Sequence, residues 1–397
     1  MTYTLHPVRT PKDENRWLDV ARVLYANDPH WVCPLDLELR GIFNPAKNPV
    51  FERGEATRWY LTDAQGKLAG RIAAFVDRKR SAVFAQPTGG LGYFECVNDP
   101  AAAALLFDAG RDWLQARGME AMDGPVNFGE NDRFSGLLIE GFEPPSFGMN
   151  YNPPYYRDLF EGYGWGIFFE QTSSNLDVSK PLPERFYKAQ QWVKDKGVEF
   201  RNPTPKTLEK FALDFREVYN ESWREHEHFS EMSEAQALRA AKSMRFFMVP
   251  RFMVFAYLRD EPVGALLSVP DLNQILRPLN GKLGPWQKLL FLYRKRNDYA
   301  WYRKRGLLNR VRIIVIGVKP KMRRFGLEAG LILNNIPDGV AMGCTSVDLS
   351  WIGDFNPLML SLMHSMGATP ARKHATYRYM FDRSKPVVRE KRVGQKD

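Results

Sequence analysis

The sequence predicts an α/β protein of two like halves, each a mixed central sheet flanked by helices. Three observations carry this. The order helix, hairpin, strand, helix, strand, helix occurs twice along 397 residues, with one further strand at the end. The run RVRIIVIGV (310–318) is almost continuously β-branched, the mark of a strand buried on both faces. The length itself exceeds one ordinary domain. Residues 1–182 are assigned to the first half and 183–384 to the second, joined by the Pro-punctuated run SKPLPE. Residues 385–397 are charged, poor in apolar side chains and expected to be disordered. Two like domains with pseudo-two-fold packing are expected, not a solenoid.

In order, ENRWLDVARVLYAN reads as a helix, and TRWYLTDAQGKLAGRIAAFVD as two strands around an AQGK turn. FECV is a short strand. Pro100 to Arg117 repeats apolar residues at helical spacing and stops at Gly118. MEAMDGPV reads as a strand, followed by a loop to Tyr151 rich in Gly, Pro and Asn. NPPYYRDLFEGYGW is then a helix closed by Gly162 or Gly164. The second half repeats the order with KTLEKFALDFREVYNESW, a helix within SEAQALRAAKSM, and the hairpin RFMVFAYLRDEPVGALLSVPD. After an insertion (272–309) come the strand RVRIIVIGV, the helix after KPKMRRFG, the strand TSVDLSWI and the helix NPLMLSLMHSMGA. ATYRYMFD is the last strand.

Cys33, Cys96 and Cys344 lie far apart without metal-ligand spacing, so they read as reduced, buried side chains and no metal is expected. The first residues show no charged-then-apolar leader, and no uncharged run is long enough to span a bilayer. The expected compartment is the cytoplasm. A net charge of +10 favours anionic partners. Part of that charge is local: from Lys288 to Arg312, nine basic residues face one acid, Asp298, and interleave with Leu, Phe, Tyr and Trp. That mixture suits an anionic membrane surface on the inner face, and it also suits a solvated helical face over a buried stripe. No standard nucleic-acid motif accompanies it.

The segment most specific for chemistry is VKPKMRRFGLEAGLI (318–332). A strand that feeds a helix through a short Gly-containing turn aims free main-chain N–H groups at one point, where the helix dipole favours an anion. Lys319, Lys321, Arg323 and Arg324 add positive charge. Val318, Pro320, Arg323 and Gly326 match the pattern V-x-P-x-x-R-x-x-G-x-G/A, and the segment resembles the CoA-binding motif of the GNAT acyltransferases. Glu328 departs from it, standing where Gly or Ala is usual, and is expected to point away from a pyrophosphate.

VDLSWIGDFNPLMLSLMHSMGA, from Val347, is similar to the following GNAT strand and helix, with Asn356 and the closing Gly367. FECVNDPAAAALL, GPVNFGENDRFSGLLIEGF, NYNPPYYRDLFEGYGW and VPDLNQILRPLNGKLGP extend the resemblance over nearly the whole chain. They resemble the tandem-GNAT bacterial acyltransferases that include the bacterial ceramide synthases. The resemblance implies an acyl-CoA donor held by Gly317, Val318, Arg323, Arg324, Phe325, Gly326, Leu327 and Glu328, with Asn356 on the pantetheine arm. It implies a lipid-like amine acceptor and a site in the second half, because no R-x-x-G-x-G follows FECV. Met363 occupies the position where many relatives carry a Tyr that protonates the leaving thiolate.

Ile313, Ile314, Val315 and Ile316 offer no base on the strand before the motif. Three residues are candidates for the proton transfers of amide formation. His226 stands in the pair His226/His228, which also reads as surface histidines. Asp271 ends a strand and equally reads as a turn cap. Asp354 precedes Asn356 and equally reads as the cap of the last helix. Direct attack by the amine is expected, since no Cys or Ser stands with a base. A short-chain acetyltransferase and an acyl-CoA-binding module without turnover are the alternatives.

Overall fold

The computed structural model describes all residues except 1, 83, 85, 130–135, 225–230, 246–248, 324 and 390–397. In chain order the elements begin β1 (Tyr3–Pro7), α1 (Pro11–Leu24), α2 (Asp36–Ile42), β2 (Gly54–Asp63), β3 (Leu68–Asp77), α3 (Arg78–Ser81) and β4 (Thr88–Cys96). Then come α4 (Pro100–Gln115), β5 (Ala121–Gly124), β6 (Leu137–Glu140), α5 (Tyr156–Tyr163) and β7 (Gly166–Asp177). Next are α6 (Glu184–Asp195), β8 (Val198–Arg201), α7 (Leu208–Trp223), α8 (Glu234–Met244), β9 (Met253–Leu258) and β10 (Glu261–Pro270). The remainder is α9 (Asn273–Leu276), α10 (Pro285–Arg303), β11 (Arg310–Val318), α11 (Leu327–Ala341), β12 (Ser346–Gly353), α12 (Pro357–Ser365) and β13 (Thr369–Met380).

The chain folds into two compact units, but not by a single cut near residue 182. The first takes the described residues up to Thr172, Leu276–Trp286 and those from Arg372; the second takes Ser173–Ile275 and Gln287–Ala371. The final strand therefore serves the first unit, where Tyr377–Met380 pair with β5 and Lys373–Ala375 with β6.

From β1 the strands follow the order β1-β2-β3-β4-β5-β13-β7, antiparallel through β1 to β4 and parallel between β4 and β5. Its helices start on local signals. Thr10 and Asp13 cap α1 reciprocally with Pro11 at the first turn. The Asp99 side chain accepts from Ala101 N at the start of α4. One face of α4 buries Ala102, Ala103, Leu106, Phe107 and Leu114 in an aromatic core with Phe94, Phe160 and Tyr377. Gly164, at φ 104°, ends α5. In the second unit β12-β11-β10-β9-β8 follow one another, with only β11 and β12 parallel.

Candidate functional site

Among the described residues the strands β11 and β12 pair from Arg310↔Ser346 to Ile313↔Leu349, although β11 runs on to Val318 and β12 to Gly353. On the other side of β11 the register with β10 slips between Leu267 and Ser268, leaving Ile314 as the extra residue of a bulge. Beyond that point Ile314, Val315 and Ile316 are only half-buried, so the strand expected to be covered on both faces is open where its ladder ends. An extended ligand could use the main-chain groups that β12 leaves unpaired there. At Gly317 a side chain would meet the Trp223 ring at 2.6 Å, so only glycine lets the end of α7 lie flat on the strand.

The turn after β11 leads to Gly326, the N-cap of α11, at φ 78°. No side chain caps this helix, and its first main-chain N–H groups have no intrahelical acceptor. Together with the helix dipole they could seat an anion. Phe325 stacks on Trp192 of α6 with ring centroids 5.3 Å apart, and Leu327 is buried. Arg323 Nη2 donates to the Ser222 carbonyl at 2.6 Å.

Glu328 lies in the first turn of α11 and is half-buried. Burial raises its pKa, against the opposing pull of its own main-chain N–H and the nearby Arg323 charge. Lys319 is not available to a phosphate: it is fully buried and pairs with Glu217, Glu221 and Glu261. Burial opposes its charge, yet the three carboxylates outweigh burial and raise its pKa. Lys321 is also held by Glu261, whose own pKa is lowered by Lys321 and then Lys319. The anion seat thus rests on main-chain groups and Arg323 more than on lysines.

The structure gathers Gly317, Val318, Arg323, Phe325, Gly326, Leu327 and Glu328 along one strand, turn and helix. Asn356, not Asp354, is the N-cap of α12: its Oδ1 accepts from Met359 N at 3.3 Å. Met363 is buried in the core and His364 is exposed, so neither takes up the missing tyrosine's place. Asp271 is fully buried, takes Arg310 Nε at 2.8 Å and Nη2 at 2.6 Å, and receives Asn273 N. Its N–H also bonds the Arg310 carbonyl, which puts it at the start of β11, about 26 Å of strand from Val318. His226 and Arg324 lie outside the described residues.

Sequence reasoning missed three polar groupings. Glu217 and Glu221 share one face of α7 at helical i,i+4 spacing, a signal for a cation between them. Arg312 and Asp348 are both buried and stand opposite each other across β11 and β12. In the first unit Glu95 is buried with Arg71, Tyr25 and Tyr156. A lone acid in FECV carried no spacing pattern to flag it. Among the described residues no group of three or more His, Cys, Asp or Glu is arranged to hold a metal.

A structure with this architecture along its full length is a tandem GNAT protein from the clavulanic acid biosynthesis pathway. The two share a TM-score of 0.57 at 11% identity, covering 97% of this chain and 100% of that one. The chain has the tandem GNAT fold. A GCN5-related N-acetyltransferase from Sphaerobacter thermophilus has a TM-score of 0.55 at 12% identity, covering 98% of this chain and 97% of its own. In sequence the chain is 28% identical to the bacterial ceramide synthase of Caulobacter vibrioides over 386 residues, 94% of this chain and 96% of that protein. It is 27% identical to the YghO protein of Escherichia coli over 369 residues, 89% of each. No family model matches it.

Proposed function

We propose that this tandem GNAT acyltransferase transfers a long acyl chain from acyl-CoA to a lipid-like amine of the sphingoid type, by direct attack of the amine on the thioester. The observation that carries the reading is the parted pair β11/β12 leading into an uncapped helix N-terminus within one unit. In this reading the N–H groups at Leu327, Glu328 and Ala329 take the pyrophosphate, and Arg323 adds charge. The opening beside Ile314–Ile316 takes the pantetheine arm, and the Asn356 side-chain amide, free to donate through Nδ2, faces that arm. The substrate class follows the name of the Caulobacter relative.

Contact with an anionic membrane from the inner face belongs to the same proposal. In α10, Leu289, Leu292 and Tyr293 are exposed beside Lys288 and Arg296. The surface is smaller than the sequence suggested. Phe291, Tyr299 and Tyr302 are buried, Arg310 pairs with Asp271, and Arg312 is buried. Arg294 and Arg305 lie on the Trp301 ring at 4.0 Å and 4.1 Å. Among the described residues no helix is long and apolar enough to cross a membrane.

The test is mass spectrometry of products from the purified protein, offered long-chain amines with acetyl-CoA or long-chain acyl-CoA. Long-chain amides from the long donor alone support the reading; acetamides alone would replace it by the short-chain one. The aliphatic Ile313–Ile316 and the buried Met363 favour the reading as a binding module without turnover, which any amide product eliminates.

A further inference from the structure

Lys319, directly after β11, is fully buried, and no step of the proposed transfer uses it. Its main-chain N–H donates to the Val263 carbonyl of β10 at 3.0 Å, which fixes its backbone to the sheet. Its ammonium reaches Glu217 at 2.5 Å and Glu221 at 2.9 Å, both on α7, and Glu261 of β10 at 3.1 Å. One carboxylate would neutralise the cation. Two of the three stand four residues apart on one helix, so the lysine spans from the sheet to α7.

The last turn of α7 has little else to hold it. Upstream, Leu208, Phe211 and Val218 anchor the helix in a core with Phe255 and Tyr257. Past Val218 the buried residues are Asn220 and Ser222, so apolar packing there falls to the Trp223 ring over Gly317. Asn220 is taken up by the main chain of Met232, ahead of α8. The Ser222 carbonyl belongs to the last turn, where carbonyls lack intrahelical donors. Arg323 Nη2 donates to it at 2.6 Å, and a cation there also meets the negative end of the helix dipole. The end of α7 thus fixes where this guanidinium stands, and Lys319 fixes the end of α7.

We infer that Lys319 is a positioning residue: it ties the C-terminal end of α7 to the end of β11 and so sets Arg323 for the donor's phosphates. The inference rests on the acyl-CoA reading of the second unit, and gives the buried lysine a part in it without contact with the donor.

The test is calorimetric titration of the full chain with CoA, comparing carboxylates that hold Lys319 from different elements. The double variant Glu217→Gln, Glu221→Gln cuts the tie to α7. It should weaken CoA about fivefold, part of what a full charge-assisted contact supplies. Glu261→Gln removes a carboxylate of β10 instead, keeps the tie and releases Lys321, so CoA affinity should be unchanged or higher. On an Arg323→Ala background the α7 pair should have no further effect, because the group it positions is gone. All three glutamates are partly exposed, which favours folded variants. If the α7 pair does not fold, Glu221→Gln alone should still weaken CoA about twofold or more. Unchanged affinity in the α7 variants, an equal loss in Glu261→Gln, or a loss that persists without Arg323 overturns this inference alone. A wild type that binds no CoA refutes the donor reading, and this inference with it.

Discussion

The two units solve the same geometric problem and diverge in what they place at the solution. Each parts a parallel strand pair, β4 from β5 after Gly90↔Asp123 and β11 from β12 after Ile313↔Leu349. Each slips register on the preceding strand, between Arg71 and Ala73 in the first unit and between Leu267 and Ser268 in the second. Each continues into a helix. In the first, Asp99 caps α4 and Pro100 occupies its first turn, so a carboxylate sits where an anion would bind and one N–H is missing. In the second, Gly326 leaves α11 uncapped. The opened strand carries Glu95 in one unit and Ile314–Ile316 in the other. The same backbone device thus leads to an uncapped helix once and stands beside a buried carboxylate once, and side chains decide which.

The largest expected effect breaks the first unit's polar cluster. Arg71→Met leaves Glu95 buried without its cation and should cost about 3–5 kcal/mol in chemical denaturation. A loss under about 1 kcal/mol would mean that the cluster is wetter than its burial indicates.

Next is Gly326→Ala. The position has φ 78°, and a Cβ there would lie 2.7 Å from the Ala189 Cβ. The substitution should destabilise by about 1–2 kcal/mol and weaken CoA in the same variant. Asp99→Ala makes the matched comparison. It should cost about 1 kcal/mol through the lost cap, with CoA affinity unchanged.

The smallest effect sharpens the contrast between a capped helix start and an uncapped one. Glu328→Gln removes a carboxylate from the anion seat and should tighten CoA by a few-fold, about 0.3–1 kcal/mol. The folded pKa of Glu328 is raised, so its protonated form persists to higher pH than in the unfolded chain. Its stabilising contribution is complete below the unfolded pKa and is lost as pH rises through the folded one. Wild-type CoA affinity should fall across that same rise, and the Gln variant should lack the step. Titrations at several pH values check this.

Much of this was legible in the sequence because local signals fix it. The hairpins, α4 with its Gly118 end, and the strand–turn–helix at Val318–Leu327 are written in short-range periodicity and glycine placement. What was not legible depends on distant partners. β6 forms inside a stretch rich in Gly, Pro and Asn because β13, more than 200 residues later, pairs with it. That same pairing assigns the final strand to the first unit. The lysines at the anion seat looked available until α7 brought Glu217 and Glu221 to Lys319. Asp354 and Asn356 were two residues apart with equal cap propensity, and main-chain geometry chose Asn356.

The central claim is that the second unit alone seats the donor's phosphates. Amide hydrogen exchange with and without CoA tests it directly. The account predicts new protection at Leu327, Glu328 and Ala329 and none at residues 99–104. Protection at the start of α4, with α11 unchanged, would contradict it.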